Sequence, residues 1–120
     1  LAPTTPTAHT AQEPLRVLQV GVGTQIRMVP LEQVLALDAA DKYLRVLTAQ
    51  GEHLIRTPLK ELLPRLDPQA FWQVHRGTVV RASAIEAVHR DEAGRLRLTL
   101  LGLAERFAVS RLYATRFRAM

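Results

Sequence analysis

A mainly β domain of small antiparallel sheets, with one short helix and a C-terminal helix, is the fold class that this 120-residue chain predicts. Three observations predict it. Short runs of leucine and β-branched residues are interrupted by turn residues roughly every eight to twelve positions. Arg95-Leu96-Arg97-Leu98-Thr99-Leu100 alternates strictly between polar and apolar, the period of a strand with one buried face. Helical spacing is confined to two stretches, after Pro58 and after Ser110.

The elements follow in order. Residues 1–14 hold three prolines, four threonines and almost no large apolar side chain, a composition that buries too little surface to offset its ordering entropy. They read as a flexible interdomain linker, leaving one domain over 15–120. A Pro-rich spacer, on a chain that starts at Leu1, implies a partner domain upstream. Arg16–Gly21 and Gln25–Val29 flank Gly21-Val22-Gly23-Thr24, a hairpin turn. Val34–Ala39 and Tyr43–Ala49 flank the polar loop with Asp41 and Lys42, and Gln50-Gly51-Glu52 turns the chain into His53–Thr57. These five strands read as one meander. Pro58 stands at a first helical position, with Leu59, Leu62 and Leu63 at helical spacing before Pro64 stops the helix. Phe71–His75, Val79–Arg81 and Ile85–Arg90 are extended, and Asp91-Glu92-Ala93-Gly94 turns the last of these into the alternating strand. Glu105–Val109 closes the series. Ser110 reads as the N-cap of a helix over Arg111–Met120, with Tyr113, Phe117 and Met120 on one packing stripe.

Charge points to an anionic partner. The net charge is +5, yet residues 1–70 carry seven basic and seven acidic side chains, while residues 71–120 carry nine arginines against Glu86, Asp91, Glu92 and Glu105. The whole excess therefore lies in the C-terminal part, and arginine offers a planar fork of donors suited to guanine edges and phosphates. The absence of cysteine removes disulfides and thiolate metal sites and suits a reducing cytoplasm. No run approaches the roughly 18 apolar residues of a membrane-spanning helix. His9, His53, His75 and His89 never stand at a metal-ligand spacing, and Gly21-Val22-Gly23 lacks the third glycine of a phosphate loop. Ser110, His75 and Asp38 could be nominated as a hydrolase triad, but Ser110 is better explained as a cap. The expectation is a cytoplasmic, non-enzymatic protein with no cofactor, no metal and no membrane.

Phe71-Trp72-Gln73-Val74-His75-Arg76-Gly77-Thr78-Val79-Val80, then Ala84-Ile85, then Val109-Ser110-Arg111-Leu112-Tyr113 closely resemble the LytTR family of bacterial DNA-binding domains. That family pattern runs from an aromatic residue through a His-Arg-Ser-type turn into an apolar strand, and ends with a Ser-Arg pair. Val34–Ala39 with Tyr43, and Pro58–Leu62, resemble its early strand, its aromatic-bearing loop and its short helix. Gly77 stands where the family has serine, Thr78 where it has an aromatic, and Arg81 where asparagine is common.

The resemblance implies an elongated β arrangement that reads double-stranded DNA with loops, binds paired direct repeats near promoters and serves as the output half of a response regulator. The upstream partner would then be a receiver or sensor domain, and paired repeats would suit a homodimer on DNA. It also implies the DNA-binding candidates: Lys42, Tyr43 and Arg45 at the first loop; His75, Arg76 and Thr78 at the second; Ser110 and Arg111 at the third. Each has a plainer alternative: a half-buried histidine on a backbone carbonyl for His75, ion pairs for Arg76 and Arg111, a rim aromatic for Tyr43. Arg95 and Arg97 read as a solvated strand face. The competing function is a protein-interaction or ligand-sensing β module with a basic face.

Overall fold

A computed structural model describes residues 14–117; the linker reading falls almost wholly outside them. Strand β1 (Val17–Val22) and β2 (Gln25–Pro30) form a hairpin closed by two residues. Gly23 has φ of 61° there, the sign that tight hairpin turns demand and glycine tolerates without cost. A 3-10 turn over Leu31–Gln33 leads into β3 (Val34–Ala39), followed by β4 (Leu44–Thr48) and β5 (Gly51–Ile55). The short helix α1 (Leu59–Leu62) runs into a 3-10 turn over Leu63–Arg65, with Pro58 one position earlier than predicted, at the N-cap. Strand β6 (Phe71–His75) and β7 (Thr78–Arg81) come next, then β8 (Ile85–Arg90), β9 (Leu96–Leu100) and β10 (Arg106–Val109).

Three antiparallel sheets result: the β1-β2 hairpin, a five-stranded sheet in the order β5-β4-β3-β7-β6, and a three-stranded sheet in the order β10-β9-β8. The principal extents of 55 × 34 × 24 Å give the elongated shape expected. The single meander is not what forms. The chain breaks pairing after β2, and β7 returns to lie beside β3, with Leu37 opposite Val79 and Asp38 opposite Thr78. The physical reason is that β3 has apolar residues for both faces, so it takes a central position with a neighbour on each side.

Leu35 is the extra residue of a bulge against β4, since Val34 faces Thr48 and Ala36 faces Leu47. The bulge shifts the alternation, and Val34 and Leu37 share one face. That face packs with Leu44, Val46 and Val79 against Leu18, Val20 and Val29 of the hairpin and Leu59, Leu62 and Leu66 of the helical segment. On the opposite face Ala36, Leu47, Val74 and Val80 pack against Leu98, Leu100, Phe107 and Val109 of the three-stranded sheet. The five-stranded sheet is therefore the middle of three layers. Arg81 pins one end of it: Nε donates to Val34 O at 2.9 Å, Nη2 donates to Leu31 O, and the guanidinium lies 4.6 Å above the Phe71 ring.

The predicted C-terminal helix does not form among the described residues. Ser110 is followed by turns and a 3-10 turn over Ala114–Arg116, and Phe117 leaves helical geometry with φ −105° and ψ 89°; residues 118–120, with Met120 of the predicted stripe, lie outside the described residues. A helix this short has a costly nucleus and little to repay it. The segment instead docks by its rings: Phe117 sits 6.1 Å from Trp72, and the Arg116 guanidinium lies 4.7 Å over the same indole.

Leu37 is fully buried at the centre of this arrangement, whereas Leu112 is 79% exposed. In urea titrations Leu37→Ala is expected to lower unfolding free energy by about 2–5 kcal/mol, and Leu112→Ala to stay within about 0.5 kcal/mol of the parent. Similar losses from both would contradict the two-faced central sheet.

Candidate nucleic-acid interface

The three loops predicted from sequence meet, because backbone hydrogen bonds tie each to the next. Ala39 N–H donates to Gly77 O at 2.7 Å, joining the end of β3 to the turn between β6 and β7, and Ala40 N–H closes the first loop on Tyr43 O at 2.8 Å. Ser110 N–H donates to Val74 O at 2.9 Å, joining the third loop to β6. Val74 is itself the extra residue of a bulge, since Gln73 faces Val79 while His75 already faces Thr78. A bulge on an edge strand leaves a residue outside the ladder and re-aims the next one. Here it supplies the carbonyl that anchors Ser110 and turns His75 outward.

His75 is exposed. Its Nδ1 accepts the Gly77 N–H at 3.3 Å, so the proton of the neutral ring sits on Nε2, leaving that atom as a donor. The plainer alternative, a bond to a backbone carbonyl, does not form among the described residues, and Nδ1 has no carboxylate partner there, unlike a triad histidine. Gln73 Nε2 donates to Arg76 O at 3.2 Å and steadies the turn. Arg76 and Arg111 are exposed and make no ion pair among the described residues. Ser110 is half-buried, and its hydroxyl is unbonded among them; Lys42 is exposed, and Tyr43 is 41% exposed on the first loop.

Arg45 and Thr78 are placed differently from the expectation. Arg45 Nη1 and Nη2 donate to the two carboxylate oxygens of Glu105 at 2.9 and 2.7 Å, a bidentate pair, while Nη1 also reaches Asp38 Oδ2 at 3.0 Å and Nη2 reaches Glu52 Oε1 at 3.1 Å. Thr78 is buried and its Oγ1 donates to Asp38 Oδ1 at 2.7 Å. Arg45 projects from the β4 face that also carries Leu47, toward the β9–β10 loop, so its charge is neutralised between layers. Glu105 first, then Glu52, raises the Arg45 pKa above the ordinary arginine value. In return the Arg45 guanidinium holds the Glu105 carboxyl below the usual carboxylate range.

Sequence reasoning missed the cations that the third layer adds. A groove of about 590 Å³ is lined by Arg90, Arg95 and Arg97 together with His75, Ser110 and Arg111. A second groove, of about 430 Å³, brings Arg106 beside His75 and Arg76. The signal lay in the pairing of β9 with β10, which puts Arg97 opposite Ala108 just before the Ser110 turn; register is hard to read from one strand alone.

The LytTr DNA-binding domain family matches residues 24–120. The chain is 40% identical over 83 residues to an uncharacterized response regulatory protein of Vibrio cholerae, covering 66% of this chain and 32% of that protein. It is 33% identical over 106 residues to the CO-responsive transcriptional regulator RcoM of Rhodospirillum rubrum, covering 88% and 45%. With the positive alginate biosynthesis regulatory protein of Pseudomonas aeruginosa it shares 34% identity over 96 residues, covering 79% and 38%. The chain thus spans less than half the length of these relatives. Among solved structures, a LytTr DNA-binding domain from a Bacillus cereus response regulator superposes with a TM-score of 0.75 at 27% identity, covering 87% of this chain and 94% of that one.

The Arg45–Glu105 pair gives a pH signature. Because the folded state holds Glu105 ionised more firmly than the unfolded chain does, its stabilisation is present above the ordinary glutamate pKa of about 4.3 and is lost as pH falls through the lowered folded value. Both groups are partly solvated, so Glu105→Gln is expected to lower stability by no more than about 1 kcal/mol at neutral pH. Thermal melts of parent and variant should converge on acidification; a gap that persists unchanged into acid would rule out a charge contribution.

Proposed function

The chain belongs to the LytTR family of DNA-binding domains, and from that premise we propose that it is a sequence-specific reader of duplex DNA in bacterial transcription regulation. The observation that carries this reading is the convergence of three loops, tethered by backbone bonds, that present Lys42, His75, Arg76 and Arg111 exposed and without an ion-pair partner among the described residues. Arginine forks at Arg76 and Arg111 suit guanine O6 and N7. The His75 Nε2–H and the Ser110 hydroxyl are single donors of the kind that bond phosphates, fixing register without reading sequence. Tyr43 supports the rim of the first loop. Arg45 and Thr78 act one step back, holding the loops instead of touching DNA.

Loop recognition by a single domain gives a short site, so paired direct repeats near promoters would supply the rest of the affinity, with two copies bound as a homodimer on DNA. The relatives named as response regulatory protein and transcriptional regulator are longer than this chain. That supports a receiver or sensor domain upstream in the natural protein, and a cytoplasmic location, where DNA is.

Fluorescence-anisotropy titrations against duplexes from the protein's own promoter region and scrambled duplexes test this. The parent should prefer one duplex, and Arg76→Ala and Arg111→Ala should each lose about 1–3 kcal/mol of discrimination, roughly 5- to 150-fold. Weak, equal binding to every duplex, with both variants matching the parent, would favour a protein-interaction module with a basic face.

A further inference from the structure

Like charges gathered in one concavity repel, and natural surfaces relieve this with interspersed carboxylates or with a bound anion. The groove lined by Arg90, Arg95, Arg97 and Arg111 has no acidic lining residue. Asp91 stands at its edge, but its Oδ1 accepts the backbone N–H groups of Ala93 and Arg95 at 2.9 and 2.8 Å, and its Oδ2 lies 3.9 Å from Arg97 Nε, the far limit of an ion pair. Arg90 reaches only the Gly94 carbonyl, at 3.2 Å. Arg95 and Arg111 have no side-chain partner among the described residues. The alternation that buries Leu98 and Leu100 and half-buries Leu96 turns Arg95 and Arg97 outward, and apart from the long Arg97–Asp91 contact the fold makes no use of their charge.

Besides these cations, His75 and Ser110, the groove is lined by small and apolar residues alone: Ala93, Gly94, Ala108 and Ala114 with the larger Leu96, Val109 and Phe117. A lining that mixes small apolar residues with arginines fits a chain of deoxyribose rings bearing phosphates: sugar against the apolar residues, phosphate oxygens against guanidinium forks. His75, Ser110 and Arg111 belong to this groove and to the loop face at once, so an anionic strand leaving the loops enters it directly. We propose that this groove is a phosphodiester clamp in which Arg90, Arg95 and Arg97 grip the DNA backbone flanking the segment read by the loops. The proposal rests on the DNA-reading function above, and it assigns these arginines to affinity and not to sequence preference.

Arg95→Ala/Arg97→Ala tests it, with Arg95→Lys/Arg97→Lys as the charge-preserving partner and melting temperature as a folding control. Affinity for preferred and scrambled duplexes should fall by the same factor, with their ratio unchanged. The slope of log K against log salt should flatten by about 1.8, two phosphate contacts at about 0.9 each. The lysine variant should keep the parent's slope, and trimming the duplex to the loop-read segment should erase the difference between parent and alanine variant. A parent that discriminates duplexes while the alanine variant matches its affinity and slope overturns the clamp and leaves the function standing. Loss of discrimination in the alanine variant also overturns it, because these arginines would then read bases. A parent that prefers no duplex removes the function, and the clamp with it.

Discussion

The burial of β3 on both faces is the constraint from which the rest of the molecule follows. A strand that has a neighbour on each edge and a packed layer above and below presents little to solvent along its length, and in β3 the polar and exposed residues gather at its C-terminal end, at Asp38 and Ala39. Its C-terminal end runs into the 40–43 loop and donates through Ala39 to Gly77. Because β7 lies directly beside β3, the turn that precedes β7 must emerge at that same end. Because the three-stranded sheet packs on the face formed by Ala36, Val74 and Val80, the exit of β10 is brought there too. Three segments far apart in sequence therefore share one end of a rigid sheet, which places side chains more precisely than free loops could.

The Asp38–Arg45–Glu105 cluster works with that constraint. Apolar packing holds two layers together but lets them slide, since dispersion and burial have little directional preference. A bidentate guanidinium–carboxylate pair has a fixed geometry, and this one spans 60 residues of sequence between β4 and the β9–β10 loop. Asp38 links it onward to Thr78, so one polar network fixes β3, β4, β7 and the third layer in register. With its side chain 22% exposed, Arg45 retains some solvation and avoids the large desolvation penalty of a fully buried pair. The cluster thus defines where the loops stand relative to each other while adding little to stability.

Much of this was legible in the sequence, and what was not has physical causes. The bounds of β3, β6 and β8 followed from apolar runs between turn residues, and alternation placed β9 to within one residue, since Arg95 lies just outside it. The order of strands did not, because pairing β7 with β3 is a nonlocal choice that no local pattern encodes. The Leu35 and Val74 bulges were equally hidden, yet they decide which face Val34 uses and how Ser110 is anchored. The turn into β5 was set two residues late, since Thr48 closes it with its own hydroxyl, donating to Gly51 O at 3.0 Å and accepting the Gln50 N–H at 3.2 Å. The C-terminal helix had a cap and a stripe on paper, but its short length left tertiary ring contacts with Trp72 to decide its shape. The family resemblance puts Arg45 among the DNA-facing residues; its register with Asp38 and Leu54 and its bonds to Glu105 turn it toward the third layer.

Arg45 also sharpens how charge should be read in a basic domain. Sequence counts treat every arginine as one unit of attraction for an anion, but guanidiniums divide by what already neutralises or engages them. Arg45 is cancelled by carboxylates, Arg81 is fixed by carbonyls and the Phe71 ring, and Arg116 lies on Trp72. Arg76, Arg95 and Arg111 have no such partner among the described residues, and Arg97 has only a long contact with Asp91. That second group adds its charge to the loop end and the adjoining groove, while Arg16, Arg27, Arg56 and Lys60 are exposed elsewhere and also lack an ion pair among the described residues. Arg76, Arg111, Arg95 and Arg97 nonetheless line adjoining grooves that share His75, and a continuous cationic path of that kind suits a polymer whose charges are evenly spaced, the electrostatic form of a DNA strand.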